Sequence, residues 1–461
     1  MAIAFGTDGW RGILAADFTF QGVRAVARAV AEYVRAAEPG KPCLIGYDHR
    51  FLAPEMAAAA AAELAAHGVP ALVSDGPIPT PVLACAIRDR DAGGAIMFTA
   101  SHNPPLYQGM KFIPAYGGPA TAEITSQLEA GANRYLPESS PAGPGRQQPE
   151  GFEPVGRYWE RLAALVDLEA AQRAGLKVAV DAMYGVGAPY LERLGGVRLH
   201  FARDPLFGGL TPEPTAEHLQ ELTQLVRNGE AQVGLATDGD ADRFGAVDRE
   251  RGYVTPNQVL VLSLWYLLER RGLKGAGVAR TLATTHLLDR IAAAGGLQVF
   301  ETPVGFKYLG QKLLHDDALL AGEESGGMGI KGHVPEKDGI LACFLLAEMV
   351  ARTGRSLGQL LKDIEGRYGA LYNRRVDIHL SGPGERERIA DALRTAPPER
   401  LGGKAVAGID TLDGFRFRLA DGAWALLRFS GTEPLVRIYG EAESPDELAV
   451  VLADAGKVVS G

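Results

Sequence analysis

Hydrophobic and polar positions along the chain alternate between two periods, one typical of helices and one typical of buried strands. Residues 17–38 carry valine and alanine at helical spacing and end at Pro39-Gly40, which predicts an amphipathic helix. The apolar run PCLIGYD then predicts a buried strand, and PEMAAAAAAELAAHG predicts a second helix that stops at Gly68. Repetition of this order predicts largely parallel sheets with helices on both faces.

The same alternation divides the chain into four segments, the first three of which contain strand, glycine-rich turn and helix patterns. The stretch Pro137–Gly151 is rich in proline, glycine and polar residues and is typical of a linker. The last segment opens with the strand-like NRRVDIHL and has fewer long apolar helices. We therefore expect three related α/β domains with mixed, largely parallel sheets and a C-terminal α+β domain. The expected bounds are 1–150, 151–252, 253–368 and 369–461.

Composition and charge narrow the class of partner. The chain has 461 residues, of which 46% are hydrophobic and 22% are charged, as in globular proteins of several domains. The 47 Lys and Arg residues against 56 Asp and Glu residues give a net charge of −9, which argues against a nucleic-acid partner. No basic leader or membrane-length apolar run occurs, so we expect a cytoplasmic protein with no membrane partner. Cys43, Cys85 and Cys343 are widely spaced and are expected to be reduced and mostly buried.

The most specific chemical signal is TDGDADR, residues 237–243, which directly follows the apolar strand QVGLA. Ligands bind at loops that leave the carboxyl ends of parallel strands. Asp238, Asp240 and Asp242 alternate with small residues, so a curled loop turns three carboxylates towards one point, and such hard oxygen ligands suit Mg²⁺. The pattern is not an EF-hand, because arginines stand where that loop needs Gly and Glu. A solvated acidic turn is the alternative, although three close carboxylates repel one another unless a cation neutralises them.

The stretch FTASHNPPLYQGMKF, residues 98–112, places Ser101 beside His102 after a run of small apolar residues. Ser101 has three interpretations, namely a helix or turn cap, a hydrolase nucleophile and a phosphate carrier. The stretch is not a G-x-S-x-G elbow, which disfavours the nucleophile. A phosphoserine carries about −1.5 to −2 charges, which a tri-aspartate magnesium site can hold. His102 is structural, or it orients the phosphate or moves a proton, and Lys111 is a general acid or base or a counter-charge.

Two more glycine-rich stretches favour sugar and phosphate binding. GEESGG, residues 322–327, follows an apolar strand, and Glu323 and Ser325 alternate so that both can face a sugar, although an exposed turn fits equally well. RFSGTEPLVR, residues 428–437, contains the parts of an anion-binding nest. Those parts are Arg428, Ser430, Gly431 and Thr432. ATP and NAD are unsupported, because the chain has neither a P-loop nor a complete dinucleotide fingerprint.

Together with FGTDGWRG near the N-terminus, these stretches resemble the α-D-phosphohexomutase superfamily, in order and along the whole chain. PVGFKYLG, FGGLTPEPTAEHL and GHVPEKDGI are similar to stretches of bacterial phosphoglucomutases and phosphomannomutases. The resemblance implies four domains around a central cleft and an isomerase that interconverts hexose 1-phosphate and hexose 6-phosphate through a phosphoserine and a sugar 1,6-bisphosphate. It also implies one Mg²⁺ per chain, glucose 1,6-bisphosphate as activator, hexose phosphates as small-molecule partners, and a monomer or homodimer.

The resemblance also implies a role for each matching residue. Ser101 carries the phosphoryl group and, with Asp238, Asp240 and Asp242, holds Mg²⁺. Arg11 and Arg243 stabilise phosphate, Lys111 manages the hydroxyl proton, Glu323 and Ser325 grip the sugar, Lys307 is a further substrate contact, and Arg428, Ser430, Gly431 and Thr432 hold the non-reacting phosphate. Gly327 stands where many hexosamine and mannose mutases have histidine, and the GEESGG sequence favours glucose over mannose phosphate. The alternatives are a phosphoglucosamine mutase, a magnesium-dependent sugar phosphatase and a non-enzymatic sugar-phosphate-binding protein.

Overall fold

Four β-sheets follow one another along the chain, and each is built from its own stretch of sequence. The structure is a computed structural model, and it describes residues 2–6, 8–143, 149–382, 384–430 and 434–460. The first three units are sheets with helices packed on them, and the fourth is an antiparallel sheet with two helices.

The first unit contains a mixed sheet of seven strands. Its elements are β1 (Phe5–Gly6), β2 (Gly9–Ile13), α1 (Phe20–Ala37), β3 (Cys43–Tyr47), α2 (Ala53–Ala66), β4 (Ala71–Ser74), α3 (Thr80–Asp89), β5 (Gly94–Phe98), β6 (Tyr107–Pro114), α4 (Ala122–Tyr135) and β7 (Glu150–Phe152). The strand order is β1-β2-β6-β5-β3-β4-β7. β3, β4, β5 and β7 run parallel, whereas β6 and β2 pair antiparallel. The sheet thus extends to Phe152, just beyond the sequence predicted as a linker.

The second unit contains a mixed sheet of five strands in the order β12-β11-β10-β8-β9. Its elements are α5 (Val155–Leu165), α6 (Ala170–Arg173), β8 (Val178–Asp181), α7 (Ala188–Leu191), β9 (Val197–Leu199), α8 (Gln220–Arg227), β10 (Val233–Thr237), β11 (Phe244–Asp248) and β12 (Gly252–Val254). β8, β9 and β10 are parallel, and β11 returns antiparallel to β10. The sharp return between β10 and β11 is the TDGDADR stretch.

The third unit contains four strands in the order β14-β13-β15-β16. Its elements are α9 (Pro256–Trp265), β13 (Gly277–Thr281), α10 (Leu287–Ala294), β14 (Gln298–Thr302), α11 (Phe306–His315), β15 (Ala318–Gly322), β16 (Met328–Ile330), α12 (Gly339–Thr353) and α13 (Leu357–Tyr368). α9 continues as a π-helical turn over Tyr266–Arg270. β13, β14 and β15 are parallel and β16 is antiparallel, so the turn between β15 and β16 is the GEESGG stretch.

The fourth unit is an antiparallel sheet in the order β17-β22-β21-β20-β19-β18. Its elements are β17 (Tyr372–His379), α14 (Glu385–Thr395), β18 (Arg400–Leu401), β19 (Lys404–Asp410), β20 (Phe415–Leu419), β21 (Trp424–Phe429), β22 (Leu435–Ala442) and α15 (Pro445–Ser460). The prediction of three α/β units with mixed, largely parallel sheets followed by an α+β unit is confirmed.

One hydrophobic cluster joins the first three units, which explains how their loops are held together. It includes Leu83 on α3, Tyr158 on α5 and Leu341 on α12, each of which is fully buried. α12 is buried from Gly339 to Val350, and it packs on α6, α7, β10 and β11 of the second unit. All three cysteines are free and buried, as predicted. Among the residues that the structure describes, no helix is both long enough and apolar enough to cross a bilayer.

Candidate active site

Three of the predicted site loops leave the carboxyl ends of parallel strands and meet between the units. Ser101 follows β5, Asp238 follows β10 and Glu323 follows β15. This is the edge at which ligands bind in open α/β sheets. Main-chain contacts hold two of these loops together, because the N–H of Phe244 donates to the carbonyl of Gly326 at 3.2 Å.

The side chain of Ser101 points directly at the aspartate loop. Its Oγ donates a hydrogen bond of 2.7 Å to Asp238 Oδ2, and only 1% of the residue is exposed. The backbone of Ser101 has a φ of 49°, in the left-handed region, and its N–H donates to Thr99 Oγ1 at 2.8 Å. His102 Nδ1 lies 3.4 Å from Ser101 Oγ. Burial, together with the charges of Arg243 and three other cations, holds the pKa of His102 well below its ordinary value, so this imidazole is neutral.

Asp238, Asp240 and Asp242 form a buried cluster whose ligand atoms lie within 4.8 Å of one another. Burial and the charges of the other two carboxylates raise the pKa of Asp238. Oδ1 of Asp240 and Oδ1 of Asp242 are buried and have no hydrogen-bond partner among the residues that the structure describes. Uncompensated buried carboxylate oxygens are costly. Three converging hard oxygens with two orphaned atoms therefore fit a cation such as Mg²⁺.

The first and second units approach closely at the aspartate loop, which accounts for the contacts of Gly239 and Thr80. A Cβ on Gly239 would lie 2.8 Å from the carbonyl oxygen of Ser101, so only glycine allows the two loops this distance. Thr80, at the start of α3, donates from Oγ1 to Asp240 Oδ2 at 2.6 Å and from its N–H to the Asp240 carbonyl at 3.0 Å. The first unit thus holds the aspartate loop of the second from two sides.

Lys111 lies at the centre of this charge cluster rather than at its edge. Its Nζ is 2.9 Å from Asp240 Oδ2, 3.0 Å from Asp242 Oδ2 and 3.1 Å from Asp8 Oδ2. Burial disfavours the ammonium, but the three carboxylates outweigh that effect and raise the pKa of Lys111 above its ordinary value. Lys111 is therefore a permanent cation that occupies the Oδ2 atoms of the two aspartates and leaves their Oδ1 atoms available to a ligand.

Sequence reasoning missed two charged residues of the same cluster, Asp8 and Lys337. Lys337 Nζ lies 3.2 Å from Asp242 Oδ2 and 3.4 Å from Asp8 Oδ2. Burial opposes its charge, yet the pKa of Lys337 is raised because Asp242 and Asp8 stabilise the ammonium. Both residues lie in stretches that carry the family resemblance, FGTDGWRG and GHVPEKDGI. Spacing gave no signal for either, because each is brought in from a different unit.

In the GEESGG turn, the two glutamates face different partners. Glu324 accepts from Thr281 Oγ1 at 3.0 Å and from Thr284 Oγ1 at 3.4 Å, so it fastens the turn to the end of β13. Glu323 is 6% exposed and lies close to Ser325, and burial raises its pKa while Lys337 opposes the shift. Glu323 thus lies beside Ser325 and Lys337, whereas Glu324 supports the turn.

Gly327 leaves room that the neighbouring side chains use. A Cβ at this position would lie 2.5 Å from Lys337 Cδ and 2.9 Å from Glu323 Oε1. The stem of Lys337 therefore occupies the space that any side chain at residue 327 would need. Lys337 can take its observed position only because residue 327 has no side chain.

Of the remaining predicted residues, Arg11 and Arg243 lie beside the loops of Ser101 and Asp238, Lys307 lies on α11, and the others belong to the fourth unit. Arg11 donates from Nη1 to Asn103 Oδ1 at 2.5 Å, and Arg243 Nη1 is 3.5 Å from Glu213 Oε1. Lys307, on α11, has its Nζ 5.3 Å from the ring centroid of Tyr308.

The fourth unit carries the predicted phosphate nest. Arg428 donates from Nε to Asp413 Oδ2 at 2.8 Å, and the same oxygen accepts from the N–H of Val304 in the third unit at 3.0 Å. Ser430 is 4% exposed. Gly431 and Thr432 lie outside the described residues. Arg428 is thus held at a contact between the third and fourth units.

Family models cover the chain in four consecutive blocks, all described as phosphoglucomutase/phosphomannomutase. Three are the alpha/beta/alpha domains I, II and III, and the last is the C-terminal domain. The matched residues are 2–138, 156–252, 255–368 and 383–455.

Full-length relatives and solved structures agree with these matches. A phosphoglucomutase of Komagataeibacter xylinus is 30% identical over 99% of this chain and 91% of its own. A phosphoglucosamine mutase of Corynebacterium jeikeium is 30% identical over 100% of both chains. The crystal structure of a Thermus thermophilus protein, provisionally named a phosphomannomutase, has a TM-score of 0.86 at 35% identity and covers 100% of both chains. The chain therefore belongs to the phosphoglucomutase/phosphomannomutase family of the α-D-phosphohexomutase superfamily, and it is a phosphohexomutase.

Proposed function

We propose that the protein interconverts glucose 1-phosphate and glucose 6-phosphate, with mannose phosphates as second substrates. Phospho-Ser101 gives its phosphoryl group to the free hydroxyl of the sugar, and the resulting 1,6-bisphosphate returns its other phosphoryl group to Ser101. The observation that carries the proposal is the 2.7 Å hydrogen bond from Ser101 Oγ to Asp238 Oδ2, which holds a serine hydroxyl against a buried tri-aspartate cluster. A structural cap would not require that neighbour.

Asp238, Asp240 and Asp242, with a phosphate oxygen on Ser101, are the residues that would hold Mg²⁺. When bound, Mg²⁺ neutralises charge on the transferring phosphoryl group. The Oδ1 atoms of Asp240 and Asp242 support this assignment, because both are buried without a partner in the described part of the chain, and a cation would supply one.

The cations around Ser101 match the needs of phosphoryl transfer, which depends on alignment and charge neutralisation. Lys111, held by three carboxylates, is suited to the role of a fixed counter-charge, since a lysine with a raised pKa keeps its proton and is therefore both a poor general acid and a poor general base. Arg11 and Arg243 stabilise the phosphate from either side of the loop. His102 is neutral and close to Ser101 Oγ, which suits it to orient the phosphoserine.

The 1,6-bisphosphate must turn around in the site so that either of its phosphates can face Ser101. This requires two phosphate sites, one on either side of a group of residues that grips the sugar, here called the sugar clamp. Glu323 and Ser325 are the candidate clamp, because their carboxylate and hydroxyl suit sugar hydroxyls. Arg428 and Ser430, with Gly431 and Thr432, are the candidate second phosphate site, and Lys307 is a further candidate substrate contact. Arg428 stays with whichever phosphate is not reacting.

Gly327 and Lys337 support glucose as the preferred sugar within the family. Lys337 occupies the space that a histidine at residue 327 would take, and it presents an ammonium close to Glu323. A phosphoglucomutase and a phosphoglucosamine mutase are both 30% identical to this chain, so overall identity does not distinguish the two sugars. The preference for glucose is therefore inferred from Gly327 and Lys337 alone. Phosphoglucosamine mutase is the alternative.

The test is a comparison of three α-hexose 1-phosphates, those of glucose, mannose and glucosamine, with Mg²⁺ and a trace of glucose 1,6-bisphosphate as activator. We expect the highest kcat/KM for glucose 1-phosphate and a measurable value for mannose 1-phosphate. A higher value for glucosamine 1-phosphate would support the alternative. Release of inorganic phosphate in step with substrate loss would identify a sugar phosphatase and contradict the proposal.

A further inference from the structure

Arg50, which lies outside every stretch considered above, holds the loop of Ser101 from behind. Its side chain is 1% exposed. Nη2 donates to the carbonyl oxygens of Ser101 at 2.8 Å and Asn103 at 2.6 Å. Nη1 donates to the carbonyl oxygens of Pro104 at 2.9 Å and Tyr107 at 2.8 Å. One guanidinium thus satisfies four main-chain carbonyls of a single loop, residues 101–107.

No other side chain can make this set of contacts. Arginine presents five N–H donors in a rigid planar fork, whereas lysine has three donors on one rotating atom. Without the guanidinium, the carbonyls of Ser101, Asn103 and Tyr107 would lose this donor, and the loop would move to replace it. Ser101 would move with it, because its left-handed φ of 49° is a conformation that surrounding contacts must impose.

Arg50 also contacts the second unit. The carbon Cζ of its guanidinium lies 4.9 Å from the ring centroid of Phe207, which belongs to the second unit. A Cβ on Gly239, in the aspartate loop, would be 3.5 Å from the edge of that same ring. Asp48 Oδ2, 3.3 Å from Nε, balances the charge. Arg50 therefore contacts the loop of Ser101 on one side and, on the other, the ring of Phe207, which lies next to the aspartate loop.

We propose that Arg50 is a positioning residue for phosphoryl transfer, which keeps Ser101 Oγ at bonding distance from Asp238. The proposal rests on the proposed function of Ser101 as a phosphoryl carrier. The four carbonyls that Arg50 contacts all belong to the loop of Ser101, so we expect Arg50 to affect the rate of transfer more than the affinity for hexose phosphate. Displacement of a reacting group by about 1 Å can cost about 100-fold in rate.

The experiment compares Arg50→Lys and Arg50→Ala with wild type in the glucose 1-phosphate assay. The matched control is Arg24→Lys, because Arg24 also donates to main-chain carbonyls in the first unit, those of Ala59 and Gly143, away from the site. We expect kcat to fall about 100-fold in both Arg50 variants while KM changes less than about 3-fold. Arg24→Lys keeps the wild-type kcat. Added guanidinium restores kcat of Arg50→Ala in a saturable manner.

The outcomes separate this inference from the proposed function. Wild type without mutase turnover would overturn the proposed function. Active wild type together with unchanged kcat in both Arg50 variants would overturn the positioning role alone. An increase in KM at constant kcat, or an Arg50→Lys protein that does not fold, would also overturn it, because Arg50 would then act in binding or in the fold as a whole. Guanidinium rescue of kcat at unchanged thermal stability is the result that a purely structural role cannot give.

Discussion

Replacement of Lys111 by methionine tests the charge cluster around Ser101. Methionine keeps an unbranched apolar stem and removes the ammonium. Three carboxylate oxygens lie 2.9–3.1 Å from Nζ, and the Asp240 and Asp242 side chains are at most 1% exposed. At about 3 Å and an effective dielectric constant of about 20, each pair attracts by about 5 kcal/mol before desolvation is subtracted.

Desolvation and the remaining partners reduce that value. Lys337 still neutralises Asp8 and Asp242, and Thr80 still donates to Asp240. Removal of one partner from a buried ionic cluster costs about 3–5 kcal/mol, because the carboxylates stay buried without compensation. We therefore expect Lys111→Met to lower the free energy of unfolding by about 3–5 kcal/mol in EDTA.

Unfolding in the presence of Mg²⁺ provides a second test of the same charge cluster. If the aspartates bind Mg²⁺, the ion replaces part of the lost positive charge, so the variant gains more stability from Mg²⁺ than wild type does. Urea unfolding of wild type and Lys111→Met, each with EDTA and with excess Mg²⁺, measures both effects. Lys331→Met is the control, since Lys331 pairs with Asp317 at an exposed site and such pairs are worth about 0–1 kcal/mol. A cost below about 1 kcal/mol for Lys111→Met, or equal Mg²⁺ stabilisation of both proteins, would show that the Lys111 ammonium does not balance the buried carboxylates.

Three further predictions concern the units around this cluster. Burial lowers the pKa of His286 to about 4. The neutral imidazole therefore contributes to the free energy of unfolding above about pH 6.5, and this contribution is lost as the pH falls towards 4. Urea unfolding should therefore show wild type losing about 2 kcal/mol more than His286→Gln between about pH 7.5 and pH 5, and equal losses would contradict this. Gly327→Ala places a methyl group 2.5 Å from Lys337 Cδ, and steady-state kinetics should show a fall in kcat/KM of about tenfold or more, whereas an unchanged value would mean that Lys337 moves freely. Asp413→Ala removes a charge-assisted hydrogen bond from Arg428, so KM for glucose 1-phosphate should rise about tenfold, and an unchanged KM would argue against the phosphate nest.

Most of the fold could be predicted because hydrophobic periodicity reports local structure and strand–helix order reports topology. The predicted helix over 17–38 is α1, Phe20–Ala37, and NRRVDIHL forms β17. The antiparallel returns, such as β10 to β11, follow tight turns that a run of buried residues does not distinguish from a crossover. Pairing of β7 with β4 was invisible for a different reason, since only three residues take part.

The candidate site was predictable where one loop carries several functional groups. Asp238, Asp240 and Asp242 alternate in the sequence and converge in space. Lys337 and Arg50 could not be found in this way, because each reaches the site alone from a distant part of the chain. Their roles depend on tertiary distances, such as the four carbonyl contacts of Arg50, which no local pattern encodes.

The role of Ser101 as phosphoryl carrier is tested most simply by turnover of glucose 1-phosphate to glucose 6-phosphate. Wild type and Ser101→Ala are assayed with Mg²⁺ and a trace of glucose 1,6-bisphosphate. Ser263→Ala is the control, because Ser263 is also a fully buried serine but lies within α9. We expect turnover by wild type and by the control, and none above background by Ser101→Ala. Equal turnover by wild type and Ser101→Ala would show that Ser101 is not the phosphoryl carrier.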